Sequence, residues 1–516
     1  MPALPGFRVT RILSTLLLPL ISGIALWLAF PPFSIFALAW VGLIPYLHFL
    51  TRRPGWGRTL LGHLLLSLTY FGGVLYWIPR VMVAFGGFGW PTAIGVFLLL
   101  LLLLAVFLFP FTLLTRLVAA RSEQQALVCA AGFWLLTEVL RNYYAVNGFP
   151  WALLGYSQYP YHWIIQIADI GGVYLISFLI VLVNAALLAL FRFRAFKFVA
   201  LAVSLMLVAN LYGMYRAYFW KQPKAKQIQA AIVQPNIELA AGREHYAAKY
   251  FEELPAAYRR AVHSGAKWVI FPEAQNPYFF TQDFYYRNFL TRLVSSVGVD
   301  LLFNSTSVES DTRYFNSAYL LGKDGKVAYR YDKQHLVPFG EYVPAREWLS
   351  FVDPLTHEVS SFTPGRDYEL GRVGDLKFAT LICYEGIFPE IAREFEKRGA
   401  EIFVIITNDA WYGRTAAPEQ HLEINAFRAI ENRRMILRAG NSGYSAVIDP
   451  LGRFRRKTEL FKSDTILADA AGYDGRTPYS YVGEWLNIVL IGGTFPLALK
   501  KRGAKGSRGK ASKKRR

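Results

Sequence analysis

The sequence predicts a multi-pass α-helical membrane domain joined to an α/β domain. Two observations carry this. Apolar runs of near-membrane length crowd the first 215 residues, and residues 227–475 alternate between strand-like and helix-like stretches. The charge pattern supports the division: every second loop between the apolar runs is basic.

Eight spans are expected, at about 12–30, 34–50, 60–79, 92–115, 125–140, 165–191, 196–214 and 483–499. The fourth contains an unbroken L-L-L-L-L-L-L; the second and fifth are short and carry polar residues. The first run leads straight into further spans, which argues against a cleaved signal peptide. Arg8 and Arg11, the loops with Arg52/Arg53/Arg58, Arg116/Arg121 and Arg192/Arg194/Lys197, and a basic tail at 500–516 all fall on one side, read as cytoplasmic. The opposite short loops hold only Arg80 and Arg141. Residues 1–215 are thus expected to form a seven-span membrane domain, 216–481 an external domain, 482–499 an eighth span and 500–516 a disordered cytoplasmic tail.

The net charge of +20 does not point to nucleic acid. Residues 216–481 hold 34 Lys+Arg against 32 Asp+Glu, so most of the excess lies in loops, tail and span ends, where it sets topology. The two cysteines, Cys129 in the fifth span and Cys383 in the external domain, are expected to remain unpaired.

In the external domain strands are expected at 228–234, 267–272, 300–306, 317–322, 378–383, 402–407 and 445–450. Helices are expected at 244–263, 284–297, 387–399 and 419–433, and G-K-D-G-K (322–326) reads as a hairpin turn. Near-continuous apolar strands with helical crossovers imply a sheet covered on both faces, whose strand ends collect the chemistry.

Three polar residues stand at such ends. Glu273 follows K-W-V-I-F-P, where a carboxylate is costly unless solvated, paired or working as an acid/base. Lys333 lies in Y-R-Y-D-K-Q-H-L-V-P-F-G-E-Y-V-P, a Pro/Gly-punctuated loop; it is either an oxyanion partner or a solvated cation. Cys383 ends F-A-T-L-I-C and is either a buried small hydrophobe or a nucleophile. No metal-ligand spacing and no phosphate-binding glycine loop accompanies them.

Together Glu273, Lys333 and Cys383 resemble the Glu–Lys–Cys triad of the nitrilase (carbon–nitrogen hydrolase) superfamily, which implies an α-β-β-α sandwich over about 250 residues. With the spans, the chain resembles the apolipoprotein N-acyltransferase family, on W-L-A-F-P-P-F (27–33), G-F-P-W-A-L-L-G-Y-S-Q (148–158), L-V-P-F-G-E-Y-V-P (336–344), C-Y-E (383–385) and N-D-A-W-Y-G (408–413) followed by Q-H (420–421). It departs in lacking a Lys-Trp soon after Q-P-N-I (234–237), in A-A-P-E-Q-H where Gly-Pro precedes Gln-His, and in R-A-G-N-S-G (438–443).

The resemblance implies an N-acyltransferase of the bacterial inner membrane, with a periplasmic catalytic domain and both termini cytoplasmic. The acyl donor is expected to be a phospholipid, phosphatidylethanolamine by resemblance, and the acceptor a diacylglyceryl apolipoprotein. No metal, cofactor or nucleic acid is required, and a monomer is expected. The resemblance makes Glu341, Tyr384 and Glu385 supporting residues, and Trp151 and Tyr156 are candidates for the substrate border. A membrane-anchored amidase using water as acceptor, or a non-catalytic transporter or scaffold, are the alternative readings.

Overall fold

The computed structural model describes residues 5–220, 226–239, 242–274, 276–310, 313–342 and 362–500. The tail beyond 500, and Val343 and Pro344 of the 336–344 motif, lie outside them.

Each of the eight apolar runs is helical. Three helices are long and apolar enough to cross a membrane, Trp90–Ala119, Ile164–Phe193 and Phe196–Phe219; a bent pair, Trp56–Val74 with Ile78–Phe85 at 54°, qualifies as a fourth. Thr15–Leu28, Phe36–Thr51 and Trp485–Leu499 are shorter apolar helical stretches. The fifth run lies in Glu123–Tyr144, whose Glu138 and Arg141 are both buried. Instead of pairing directly, these two hold the loop that follows: Glu138 Oε1 accepts from the Leu154 N–H at 2.7 Å and Arg141 Nη2 donates to the Ala152 carbonyl at 2.8 Å.

The second half is a two-sheet sandwich. One sheet has the order β12-β1-β2-β3-β4-β5, from β1 (Gln227–Gln234), β2 (Trp268–Ile270), β3 (Asp300–Ser310), β4 (Arg313–Leu321), β5 (Val327–Asp332) and β12 (Asp464–Ala471). The other has the order β11-β10-β9-β8-β7-β6, from β6 (Gly371–Val373), β7 (Leu376–Ile382), β8 (Ile402–Thr407), β9 (Met435–Gly440), β10 (Ala446–Ile448) and β11 (Phe454–Lys457). The parallel pairs are β1–β2, β2–β3, β7–β8 and β8–β9. The chain returns through β12 to pair antiparallel with β1, which makes β12 an edge of the first sheet.

The period-2 alternation of strands divides the core. Trp268 and Ile270 face the second sheet, with the Trp268 and Phe378 rings 4.8 Å apart, while Val269 belongs to the cluster under helices Leu254–His263 and Phe284–Val297. Helices Pro389–Lys397 and Ala417–Asn432 cover the second sheet. The result is an α-β-β-α sandwich.

Helix Ala417–Asn432 is buried at every position but Glu419 because its outer face rests on the membrane helices. Gln420 uses all its hydrogen-bonding capacity there. Its amide donates to the carbonyls of Pro31 (3.2 Å) and Val74 (3.1 Å), and its Oε1 accepts from the indoles of Trp77 (3.2 Å) and Trp151 (2.8 Å). Further along, Arg428 donates to the Tyr156 hydroxyl and Glu431, and Glu431 accepts from the Val173 N–H. Just past the helix, Arg433 pairs with Asp169 at 2.6 Å. Buried charges persist only when paired and hydrogen-bonded, and each of these is.

Candidate active site

The two sheets bring three strand ends to one place. Glu273 lies three residues past β2, Lys333 directly follows β5, and Cys383 directly follows β7. Lys333 Nζ is 3.8 Å from Glu273 Oε1 and 2.9 Å from Glu341 Oε1. The thiol of Cys383 adjoins the Glu273 carboxylate and the Thr407 hydroxyl. Lys333 is buried to 1% exposure and Cys383 is buried, while Glu273 is half-buried.

Cys383 opens a short 3-10 turn, Cys383–Ile387, with φ of +51°. A non-glycine residue in the left-handed region costs roughly 1–2 kcal/mol, and such strain persists where its surroundings over-determine it. Here Glu385 supplies the restraint. One carboxylate oxygen accepts from the Ile382 N–H at 2.8 Å; the other accepts from the Gln334 N–H (2.7 Å), the His335 N–H (3.2 Å) and the Tyr331 hydroxyl (2.7 Å). One buried side chain thus fastens the nucleophile turn to the loop of Lys333.

The electrostatics follow from burial and pairing. Burial pushes the Cys383 thiol well above its ordinary range; Glu273 pushes the same way and Lys333 opposes it. Burial also raises Glu273, against Lys333 and its hydrogen bond from Asn316. Burial alone would lower Lys333, but Glu341 and Glu273 outweigh it and hold the ammonium charged far above the usual lysine range. The resting state is therefore a neutral thiol beside a carboxylate–ammonium group, ready for proton transfer between sulfur and oxygen.

Glu341 is tied to this group from the other side. It accepts from Lys333, from Asn316 Nδ2 at 2.9 Å and from the Val337 N–H at 2.8 Å. Tyr384 donates its hydroxyl to the Gly148 carbonyl at 3.3 Å, joining the residue after the nucleophile to the 148–158 loop. Trp151 and Tyr156 sit deeper than a substrate border would suggest. Trp151 is buried on Gln420 with its ring 5.2 Å from Trp77, and Tyr156 is buried beside Arg428 and Phe427.

Several residues of the site are not evident from sequence. Asn316, in the middle of β4, donates one amide group to both Glu273 (2.8 Å) and Glu341 (2.9 Å). At the end of β8, Thr407 donates to Asp409 Oδ1 at 3.0 Å. Asp409 in turn takes Arg438 Nη2 at 2.6 Å and His421 Nδ1 at 2.9 Å. Burial alone would raise Asp409, but Arg438 and His421 hold its carboxyl well below the usual carboxylate range. Asp409 and His421 of the two sequence motifs thus meet behind the nucleophile.

Comparison with known proteins agrees with this division. Residues 22–186 match the family model of the apolipoprotein N-acyltransferase N-terminal domain, and 229–473 match that of carbon-nitrogen hydrolases. The chain is 34% identical over 500 residues to an apolipoprotein N-acyltransferase of Geobacter metallireducens, covering 93% of this chain and 94% of that one. It is 31% identical to one from Nitrosomonas europaea (91% and 94% covered) and 30% identical to one from Vibrio cholerae (92% and 93%). With both domains matched in order and the Glu–Lys–Cys group assembled within the second, the chain belongs to the apolipoprotein N-acyltransferase family.

Proposed function

We propose that the protein transfers an acyl chain from a phospholipid to the α-amino group of the N-terminal diacylglyceryl-cysteine of apolipoproteins, the last step of lipoprotein maturation, through a thioester on Cys383. The observation that carries this is the buried Glu273–Lys333–Cys383 group in a domain fastened to apolar helices through Gln420, Arg428 and Arg433. A thiol so placed meets acyl esters that never leave the membrane.

Glu273 takes the Cys383 proton as the sulfur attacks the ester carbonyl. Lys333, with backbone N–H groups of the 383–387 turn, balances the charge that develops on the carbonyl oxygen. The tetrahedral intermediate expels the lysophospholipid oxygen, which takes the proton back from Glu273, and the thioester remains. The lipoprotein amine then attacks this carbonyl, Glu273 removes its proton, and the C–S bond breaks to return the thiol. Two substrates used in turn at one residue give ping-pong kinetics. Glu341 and Asn316 hold Lys333 and Glu273, and Glu385 and Tyr384 hold the nucleophile turn.

In this reading eight spans place both termini in the cytoplasm of a bacterium and residues 216–481 in the periplasm, at the inner membrane. Phosphatidylethanolamine is the donor, and the protein acts as a monomer. The test is to incubate purified protein with phospholipid and a diacylated lipopeptide. N-acylated peptide together with a trappable acyl group on Cys383 is expected; release of free fatty acid without acylated peptide would overturn the reading in favour of hydrolysis.

A further inference from the structure

Cations are kept off the external side of the spans, with one exposed exception. Of the two Lys/Arg residues in the short external loops, Arg141 is buried against the Ala152 carbonyl, whereas Arg80 is exposed. Among the described residues no carboxylate lies within 4 Å of the Arg80 guanidinium, and no hydrogen bond satisfies it. An unpaired arginine that runs against the charge rule of its own topology calls for a reason.

Its position supplies one. Arg80 belongs to helix Ile78–Phe85, which lies on the N-D-A-W-Y-G loop of the catalytic domain: Phe85 meets Trp411 edge to face at 4.9 Å, and Trp77 meets Tyr412 at 4.9 Å. The guanidinium covers Gly413, where an added methyl group would come within 3.6 Å of Arg80 Nε. Gly413 has φ of +59°, so the turn is open to glycine and strained for other residues. One residue before it, the Tyr412 ring lies 6.4 Å from that of His421, whose Nδ1 meets Asp409, the carboxylate that accepts from Thr407 beside Cys383. The free cation and the nucleophile therefore flank the same short loop, with half-exposed Trp411 between the helix and water.

We propose that Arg80 binds the phosphodiester of the glycerophospholipid acyl donor, so that the ester a few bonds away across the glycerol is presented to Cys383. This rests on the acyl-transfer reading and names the group that selects its first substrate. Guanidinium is suited to the task because its planar donors match two phosphate oxygens at once, while Trp411 and Phe85 offer an apolar flank to the chains.

The experiment compares two donors in full-length protein held in non-ionic detergent: phosphatidylethanolamine and an uncharged acyl ester, each with a diacylated lipopeptide. In R80Q the ratio of kcat/KM for the phospholipid to that for the uncharged ester is expected to fall at least about tenfold, through KM, and R80K to recover only part of it, because an ammonium keeps the charge and lacks the planar fork. An unchanged ratio, whether both donors keep their rates or both lose equally, would overturn the proposal. If the wild-type protein makes no acylated peptide from phospholipid, the acyl-transfer reading fails instead. Binding of a short-chain fluorescent phosphatidylethanolamine to C383A and R80Q/C383A then judges Arg80 alone: weaker binding in the double variant is expected, and equal binding would overturn the assignment.

Discussion

The carboxylate of Glu385 accepts the backbone N–H of Gln334 at 2.7 Å, so the residue two places after the nucleophile grips the residue one place after Lys333. The same side chain holds Ile382 on the other side of Cys383. A carboxylate can accept from all four of these donors, whereas an amide must turn a donor toward one of them. Replacing Glu385 by Gln is expected to slow acylation of Cys383 by about a hundredfold or more while the protein stays folded. Burst-phase acylation and a melting curve on the same preparation check this.

Glu273 sets the acid side of the pH profile. Burial places its pKa above the ordinary carboxylate value, and below that pKa the carboxyl is protonated and takes no proton from Cys383. Acylation should therefore rise with pH through a region above the usual Glu range. Lys333 is held charged above its ordinary value, so no fall from its deprotonation is expected up to about pH 10. E273Q should remove the acid limb along with most of the rate. Single-turnover rates across pH test both statements.

Lys333 balances two carboxylates in a buried site. Lys333→Met leaves Glu273 and Glu341 facing each other without a cation and should cost about 3–5 kcal/mol at neutral pH. Without Lys333 to oppose the rise that burial imposes on Glu273, its ionisation is unfavourable in the folded state, so this variant should regain stability as pH falls. Adding Glu341→Gln should restore much of the stability at pH 7 and none of the activity. Thermal melts at two pH values separate these effects.

Gln420 tests the join between the domains. Gln420→Leu strands the Trp77 and Trp151 indoles and the Pro31 and Val74 carbonyls in a dry interface, at roughly 1–3 kcal/mol for each group left unsatisfied. A lower melting temperature is expected, with a larger loss of transfer from lipid donors than of Cys383 acylation by a small soluble ester. Equal losses would show that the join serves only stability.

Much of this was legible in the sequence because strand ends mark themselves. An apolar run that stops at Glu273 or Cys383 announces both the strand and the exposed end, and the apolar runs of the first half announce helices. β9 was harder to find, because Arg438 interrupts its apolar run M-I-L-R-A-G and is neutralised only by Asp409 from another strand end. β11 (F-R-R-K) and β12, with its acidic and apolar residues mixed, read as loops because edge strands need only one apolar face. Asn316 gave no signal: an asparagine in mid-strand is ordinary until two carboxylates converge on it. Trp151 and Tyr156 read as candidates for the substrate border, but their partners on Ala417–Asn432 lie some 270 residues away in sequence, and no local pattern carries that information.

The seating of Ala417–Asn432 works as a depth gauge. Gln420 is anchored to membrane helices and its neighbour His421 to Asp409, so the nucleophile keeps a constant height relative to the ends of the spans. On the proposed reading, a phospholipid and a lipoprotein are each expected to arrive with their reacting atoms at that one level, so that selection by depth precedes selection by shape.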